Sequence, residues 1–348
     1  MGRRRRRAVS ITGLLVGAVA LTALVPVWLP LSVLVDLVRG RRRCPIARLL
    51  AFGVGWAWLE TAGVTVAAWL WLTGRSRDRD THYRLQRWWA VHLMGALRRT
   101  TGITTEATGI EAFSPGPVVV LCRHASLADS LVSAWVITSL ADKHPRYVLK
   151  RELLADPCLD VVGHRLPNHF LDRDATDSDA ELAALIELAS GLSADDVAVI
   201  FPEGTRASTS KRARALEKIG ERDPARAVRL AGLRHLLPVR PAGSAALLIG
   251  ADRADVVVAW HTGFEGLDTF GGILRALGRG APRVQFAATR IARDDVPDPT
   301  DREAFTAWFD DRWLEADRAV DAMLADRTAS PTADGAPVGY RSRTRTRA

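Results

Sequence analysis

The sequence predicts an α/β protein: a layered domain with a mixed sheet flanked by helices, preceded by N-terminal membrane helices. Two long apolar segments lie near the N-terminus, and from about residue 118 short β-rich runs alternate with helical stretches. Two polar motifs directly follow two of those runs. The chain has 348 residues, enough to bury one full core in addition to the apolar segments, so we expect a single domain after them.

The first elements along the chain are the two apolar segments, residues 8–38 and 45–73. The first contains Asp36 as its only charge, and the second contains only Arg48 and Glu60. Each is long enough to cross a hydrocarbon core, and the second carries four tryptophans, which favour the headgroup region. We therefore expect two membrane anchors in residues 1–80.

The topology of these anchors stays open on the sequence alone. Arginine clusters at residues 3–7, 39–43 and 75–79 flank the segments. If both segments cross, the middle cluster lies opposite the other two, against the positive-inside rule, whereas a proline-bent hairpin keeps all three on one side. A cleavable signal peptide is a further alternative. We expect the cell membrane, with the following domain facing the cytoplasm.

The net charge of +9 favours membrane lipid as a partner and argues against nucleic acid, because the arginines flank apolar segments and no nucleic-acid motif occurs. Background composition of an Ala- and Arg-rich chain is the alternative explanation. The three cysteines show neither metal-ligand spacing nor an even disulfide framework. We therefore expect no metal and no cofactor.

The remaining elements follow from hydrophobic periodicity. Residues 83–99 predict an amphipathic helix that lies on the bilayer or on the domain. The residues after about 327 predict a disordered basic tail, residues 327–348. Strands are expected at 118–122, 146–149, 197–201, 235–239 and 255–260, and helices at 127–140, 181–189, 224–231 and 305–324.

The first motif is His124-x4-Asp129, directly after the run at 118–122. The spacing alone is weak, because His169 and Asp174 share it, but ligand crevices form at the carboxyl ends of strands in open α/β sheets. An imidazole near neutral pH removes the proton of an attacking hydroxyl, and a carboxylate holds its ring. The alternative is that Asp129 only caps a helix and His124 is a core residue.

The second motif is Pro202-Glu-Gly-Thr-Arg206, directly after the run at 197–201. A glycine turn followed by a hydroxyl and a guanidinium binds phosphate through backbone N–H groups and bidentate contacts. Glu203 would fix the arginine or a substrate hydroxyl. A plain surface turn explains the proline and the glycine, but not the whole string.

Together the two motifs resemble those of the glycerolipid acyltransferase family, which includes lysophosphatidic acid acyltransferases. Phe170-Leu-Asp-Arg173 is similar to the family's intervening block, and Leu236-Leu-Pro-Val239 to its fourth, while residues 230–248 are similar to the eukaryotic-type branch. The likeness covers about residues 100–325 and predicts an acyltransferase domain at 81–326. One departure is Arg123, where many members have asparagine.

The resemblance implies transfer of a fatty acyl group from acyl-CoA or acyl carrier protein to the hydroxyl of 1-acylglycerol-3-phosphate, making phosphatidic acid. His124 would be the base and Asp129 its orienting partner. The implied substrate-binding residues are Arg173, Glu203, Gly204, Thr205 and Arg206. The alternatives are another lysophospholipid acceptor, such as lysocardiolipin or a lysophosphatidylinositol type, or a non-catalytic lipid-binding membrane protein.

Overall fold

The computed structural model describes residues 2–126, 128–172, 178–267 and 269–329. Within these ranges the helices are α1 Arg3–Ala23, α2 Val25–Val38, α3 Pro45–Leu72, α4 Arg79–Thr101, α5 Asp129–Trp135, α6 Pro157–Val162, α7 Ser178–Ala189, α8 Thr209–Gly220, α9 Pro224–Leu230, α10 Pro241–Gly250, α11 Phe270–Arg279 and α12 Arg302–Ala329. The strands are β1 Thr104–Thr108, β2 Val118–Cys122, β3 His144–Lys150, β4 His169–Leu171, β5 Asp196–Ile200, β6 Asp255–Thr262 and β7 Arg283–Ile291.

The strands form one mixed sheet in the order β1-β7-β6-β2-β5-β3-β4, which confirms the predicted fold class. Strand β2 lies between β5 and β6 and runs parallel to both, whereas β6 and β7 are antiparallel. Every side chain of β2 and β5 is buried, which is why the sequence is continuously apolar over β2 and, after Asp196, over the rest of β5. The carboxyl ends of β2, β5 and β6 therefore meet at one edge of the sheet.

Helices cover both faces of this sheet, and the two core clusters divide along β2. Val119 and Leu121 face a cluster with residues of α7, α10 and α12, whereas Val118 and Val120 face one with residues of α4 and α5. The alternation follows from the two-residue period of a strand. The core therefore has two layers with the sheet between them.

The strand predicted at 235–239 is wrong, although the segment is buried and apolar. Its backbone groups bind side chains of other elements: Asp317 accepts from the N–H groups of residues 234–236, and Leu237 N donates to Glu203. The indole of Trp313 donates to the Leu237 carbonyl at 3.0 Å. Because these four N–H groups bind side chains, they cannot pair with a neighbouring strand.

Helices α1 and α3 are long and apolar enough to cross a membrane by length and composition. They are antiparallel, since Thr22 near the end of α1 accepts from Trp58, whereas Ile11 near its start packs against the cluster that contains Ala67, further along α3. Trp69 and Trp71 are exposed on α3. An apolar surface of this kind on a folded chain indicates contact with lipid or protein.

Helix α3 also lies along the α/β domain for most of its length. Near its start, Arg48 Nε donates to the Thr100 carbonyl at 2.8 Å, and near its end the Ala67 carbonyl accepts from Arg165 at 2.7 Å. The start of α1 is fixed as well, because Arg6 binds both carboxylate oxygens of Asp160, at 2.9 and 3.0 Å. The N-terminal helices are therefore packed on the domain and not separate from it.

Candidate active site

The carboxyl ends of β2, β5 and β6 bring both sequence motifs together. His124 lies two residues beyond β2, and Arg123 N donates to the Ala259 carbonyl, which extends the pairing with β6. The loop after β5 crosses the same edge, where Ala207 N donates to the His124 carbonyl at 2.8 Å. The sheet thus places the histidine and the second motif in contact.

His124 and Asp129 form a hydrogen-bonded pair. Nδ1 of His124 lies 2.9 Å from Oδ2 of Asp129. The chain between them turns back because the same carboxylate accepts from the N–H groups of Ala125 and Ser126, at 2.6 and 2.7 Å, and from the Ser126 hydroxyl at 2.6 Å. Asp129 therefore both caps this turn and orients the imidazole.

Asp129 is charged in a buried position. Burial alone would raise the pKa of this carboxyl, but the nearby His261 and the hydrogen bonds from His124 and Ser126 outweigh it and hold the pKa below its usual range. With Nδ1 of His124 bound to this carboxylate, Nε2 is the ring nitrogen left for a substrate. The His124 side chain is 13% exposed and its ring packs on Phe201.

Glu203 lies inside the protein. One carboxylate oxygen accepts from His124 N at 2.7 Å and the other from Leu237 N at 2.8 Å. The expected contact with an arginine or a substrate hydroxyl therefore stays a prediction, whereas the geometry makes Glu203 a brace between His124 and the segment before α10. Burial raises the pKa of Glu203 to about 8.

The rest of the second motif lies nearer the surface and beside two cations that the sequence analysis missed. Gly204 has φ +70°, and a Cβ there would lie 3.3 Å from Nε of Arg240. Lys211 Nζ donates to the Thr205 hydroxyl at 3.4 Å and to the Arg206 carbonyl at 3.1 Å. Lys211, near the start of α8, therefore lies beside the motif. Its position five residues beyond Arg206 could have suggested this contact.

Residues 104–259 match the model of the Acyltransferase family. This region contains both motifs and the two central strands that present them, so the family match and the site geometry coincide. Residues 104–259 therefore form an acyltransferase domain. His124 lies within this domain, just after a central strand of the mixed sheet.

Among solved structures, the chain is similar to PlsC from Thermotoga maritima, a 1-acyl-sn-glycerophosphate (LPA) acyltransferase. The match has 16% sequence identity, covers 79% of this chain and 97% of that chain, and has a TM-score of 0.43. No curated protein matches the chain.

Arg123, the departure from the family pattern, faces the protein interior. Its side chain is 3% exposed and donates to the His261 carbonyl and to Glu265, the latter at 3.2 Å. An anionic substrate therefore does not reach it in this arrangement. Arg173, expected to hold the glycerol phosphate, lies outside the described residues, as does most of the tail expected at 327–348.

A cavity of about 440 Å³ lies between α3, α4 and α5, next to the candidate site. Ser126, whose hydroxyl donates to Asp129, forms part of its wall, so the cavity ends beside the His124–Asp129 pair. Most of the other wall residues are apolar, among them Phe52, Trp89 and Leu131. Such a lining suits a hydrocarbon chain and not a headgroup.

The raised pKa of Glu203 predicts a pH-dependent stability. The folded protein holds this proton more tightly than the unfolded chain, so the contribution is complete below pH 4.5 and is lost as the pH rises to about 8. We expect the stability advantage of the wild type over Glu203→Gln to shrink in that window, by at most about 1.4 kcal/mol per pH unit. Thermal unfolding of the detergent-solubilised protein between pH 4.5 and 8.5 measures it.

Glu217→Gln is the matched control, because Glu217 is exposed on α8. Its difference from the wild type should stay constant over the same pH range. A Glu203→Gln difference that is equally constant would contradict the assignment of a buried, protonated carboxyl.

Proposed function

We propose that this acyltransferase moves a fatty acyl group from an acyl thioester, carried by CoA or acyl carrier protein, to the free hydroxyl of 1-acylglycerol-3-phosphate. The product is phosphatidic acid. The observation that carries the proposal is the position of the His124–Asp129 pair, between an apolar cavity on one side and the cationic Gly204–Arg206 loop on the other. The acyl chain needs the apolar cavity, and the phosphate of the acceptor needs the cationic loop.

The mechanism is direct transfer. Nε2 of His124 removes the proton of the acceptor hydroxyl as its oxygen attacks the thioester carbonyl carbon, and Asp129 stabilises the imidazolium that forms. The tetrahedral intermediate then expels the thiolate, which takes the proton from His124. The C–S bond breaks, the ester C–O bond forms, and the histidine ends as it began.

The phosphate of the acceptor binds at the second motif. Thr205 and Arg206 are supported there by Lys211, and Arg240 adds a guanidinium beside Gly204. Arginine and lysine with exposed backbone N–H groups form the usual donor set for phosphate. Arg173 completes this set in the proposal, on the strength of the motif resemblance alone.

Two alternatives remain distinct from this proposal. Another lysophospholipid would use the same pair and a different headgroup contact. A non-catalytic lipid binder would keep its function without His124. The buried carboxylate on Nδ1 of an accessible imidazole favours the enzyme, because binding a lipid does not require a charged group at that depth.

Transfer by purified protein tests the function. With radiolabelled acyl-CoA or acyl carrier protein and a panel of lysophospholipids, we expect product from 1-acylglycerol-3-phosphate. His124→Ala should lower kcat by about three orders of magnitude or more, since general base and positioning are both lost. A monoacylglycerol without phosphate should react poorly.

His169→Ala is the matched control, because His169 heads the same H-x4-D spacing but binds Glu181 at 2.7 Å instead. It should retain activity. Product formation that survives in His124→Ala, or its absence with every donor and acceptor in the wild type, would contradict the proposed enzyme.

The cavity predicts a change in chain-length preference. Ala134 on α5 lines it and is buried. Phenylalanine there fills space that methylenes of a long chain would occupy, each worth about 0.8 kcal/mol when buried. Ala134→Phe should therefore reduce transfer of long acyl chains at least tenfold and spare short ones, as measured by kcat/KM over an acyl-CoA series.

Ala134→Ser keeps the volume and is the control, with the wild-type preference expected. An unchanged preference in Ala134→Phe, with the protein folded, would remove the cavity from the acyl path.

We also propose that residues 1–80 attach the enzyme to one leaflet of the cell membrane with the domain on the cytoplasmic side. Helix α3 is 28 residues long, so about 42 Å at 1.5 Å per residue, and it touches the domain near both ends through Arg48 and Ala67. The two contacts are 19 residues apart, so the domain covers about 28 Å of the helix and leaves about 14 Å, too little to cross the roughly 30 Å hydrocarbon core.

Labelling with a membrane-impermeant maleimide tests this topology. In a Cys44→Ala background, Arg42→Cys reports the loop between α2 and α3, and Arg77→Cys the loop before α4; both arginines are exposed. One-leaflet attachment predicts that both react only after intact cells are opened. Reaction of Arg42→Cys alone from outside would establish two crossings.

A further inference from the structure

His261 lies on the far side of Asp129 from the reacting histidine. It is the seventh residue of β6, next to β2, so the parallel pairing of these strands carries both histidines to the same edge of the sheet. Nε2 of His261 is 3.2 Å from Oδ1 of Asp129, while Nδ1 of His124 is 2.9 Å from Oδ2. The carboxylate therefore stands between two imidazole rings.

The surroundings of His261 leave Asp129 as its nearest acceptor. Its side chain is 1% exposed, and within the described ranges its Nδ1 has no hydrogen-bond partner. Nε2 lies 3.2 Å from Oδ1 of Asp129 but is not aligned for a hydrogen bond, so it too has no hydrogen-bond partner within the described ranges. The ring is held in place by the edge-on contact with Phe264, whose centroid lies 5.6 Å away.

The charged groups around His261 come from three elements. Asp129 approaches from α5, Arg123 from the end of β2, and Glu265 from the loop after β6. Burial and Arg123 lower the pKa of His261, although Asp129 and Glu265 oppose this. A neutral His261 carries a proton on only one ring nitrogen. On Nε2, that proton lies close to the carboxylate of Asp129.

We propose that His261 is a positioning residue for the transfer reaction, placing an Nε2–H close to Asp129 and thereby setting how strongly Asp129 holds a proton on His124. The inference rests on the proposed function. Without this donor, more of the negative charge of Asp129 faces His124, which stabilises the imidazolium. His124 then becomes available as a base only at higher pH.

The pH dependence of kcat/KM tests this role. In His261→Phe the acidic limb should move upward by about half to one pH unit, the scale on which a lost partner to a charged group acts. The rate at neutral pH should fall roughly tenfold, as when outer hydrogen bonds of reacting groups are removed. His261→Gln, whose amide N–H reaches a similar position, should restore most of both.

Thr262→Val is the matched control, because Thr262 is the next residue of β6, is also buried, and points to the other face of the sheet. It should keep the wild-type limb. An acidic limb unchanged in His261→Phe, whatever happens to the rate, would show a packing residue and overturn the inference. A shift equal in His261→Phe and Thr262→Val would do the same.

A second readout does not depend on turnover. In protein labelled with ¹⁵N-histidine, His261 should give the signals of the neutral Nε2–H form, and they should shift in Asp129→Asn but not in Thr262→Val. A neutral Nδ1–H form would overturn the inference. Wild-type protein without transferase activity would refute the proposed function, whereas these spectra would still decide where the His261 proton lies.

Discussion

The site depends on one buried negative charge, the carboxylate of Asp129. Placing a charge inside a sheet-and-helix core costs several kcal/mol unless hydrogen bonds surround it. Here two backbone N–H groups, a serine hydroxyl and the imidazole of His124 do so, and the ring of His261 lies close by. Those donors in turn fix the turn after β2 and the rotamer of His124. The two carboxylate oxygens of Asp129 therefore set both the charge of the site and the backbone conformation around it.

A second buried carboxyl ties that turn to the rest of the acyltransferase fold. Glu203 binds His124 N and Leu237 N, so it connects the ends of two strands to the segment before α10. Trp313 holds the same segment from the opposite side through the Leu237 carbonyl. These contacts of Glu203 also fix the position of the Gly204–Arg206 loop that follows it. Residues of one motif thus divide between support of the fold and, in the proposed function, contact with the phosphate.

Sequence reasoning predicted the parts of this structure that have a local cause. Strand β2 and residues 197–200 of β5 are wholly apolar because both faces of these strands are buried, and the sequence shows that pattern directly. The segment at 235–239 has a similar composition but no strand, because its donors bind Asp317 and Glu203, which lie far away in the chain. Periodicity carries no information about such partners.

Partners that are distant in the chain also limited the prediction of the site residues. Short sequence motifs identified His124, Asp129 and the loop to Arg206. His261 and Arg240 lie far from these motifs in the sequence, and only the fold brings them to the site. Glu203 was expected to fix the arginine or a substrate hydroxyl. Only the fold shows that both its oxygens point inward. Sequence motifs identify candidate reacting residues better than they identify the residues that support them.

Helix α3 contributes Phe52 and Trp56 to the wall of the cavity while exposing other tryptophans outward. In the proposed function, this helix is at once the contact with lipid and a side of the acyl-binding space. An acyl chain leaving the bilayer would then have an apolar route towards His124. A fragment beginning at Arg79 would leave Trp89 and Leu93, which line the cavity, open to solvent, so membrane attachment and acyl transfer would be lost together.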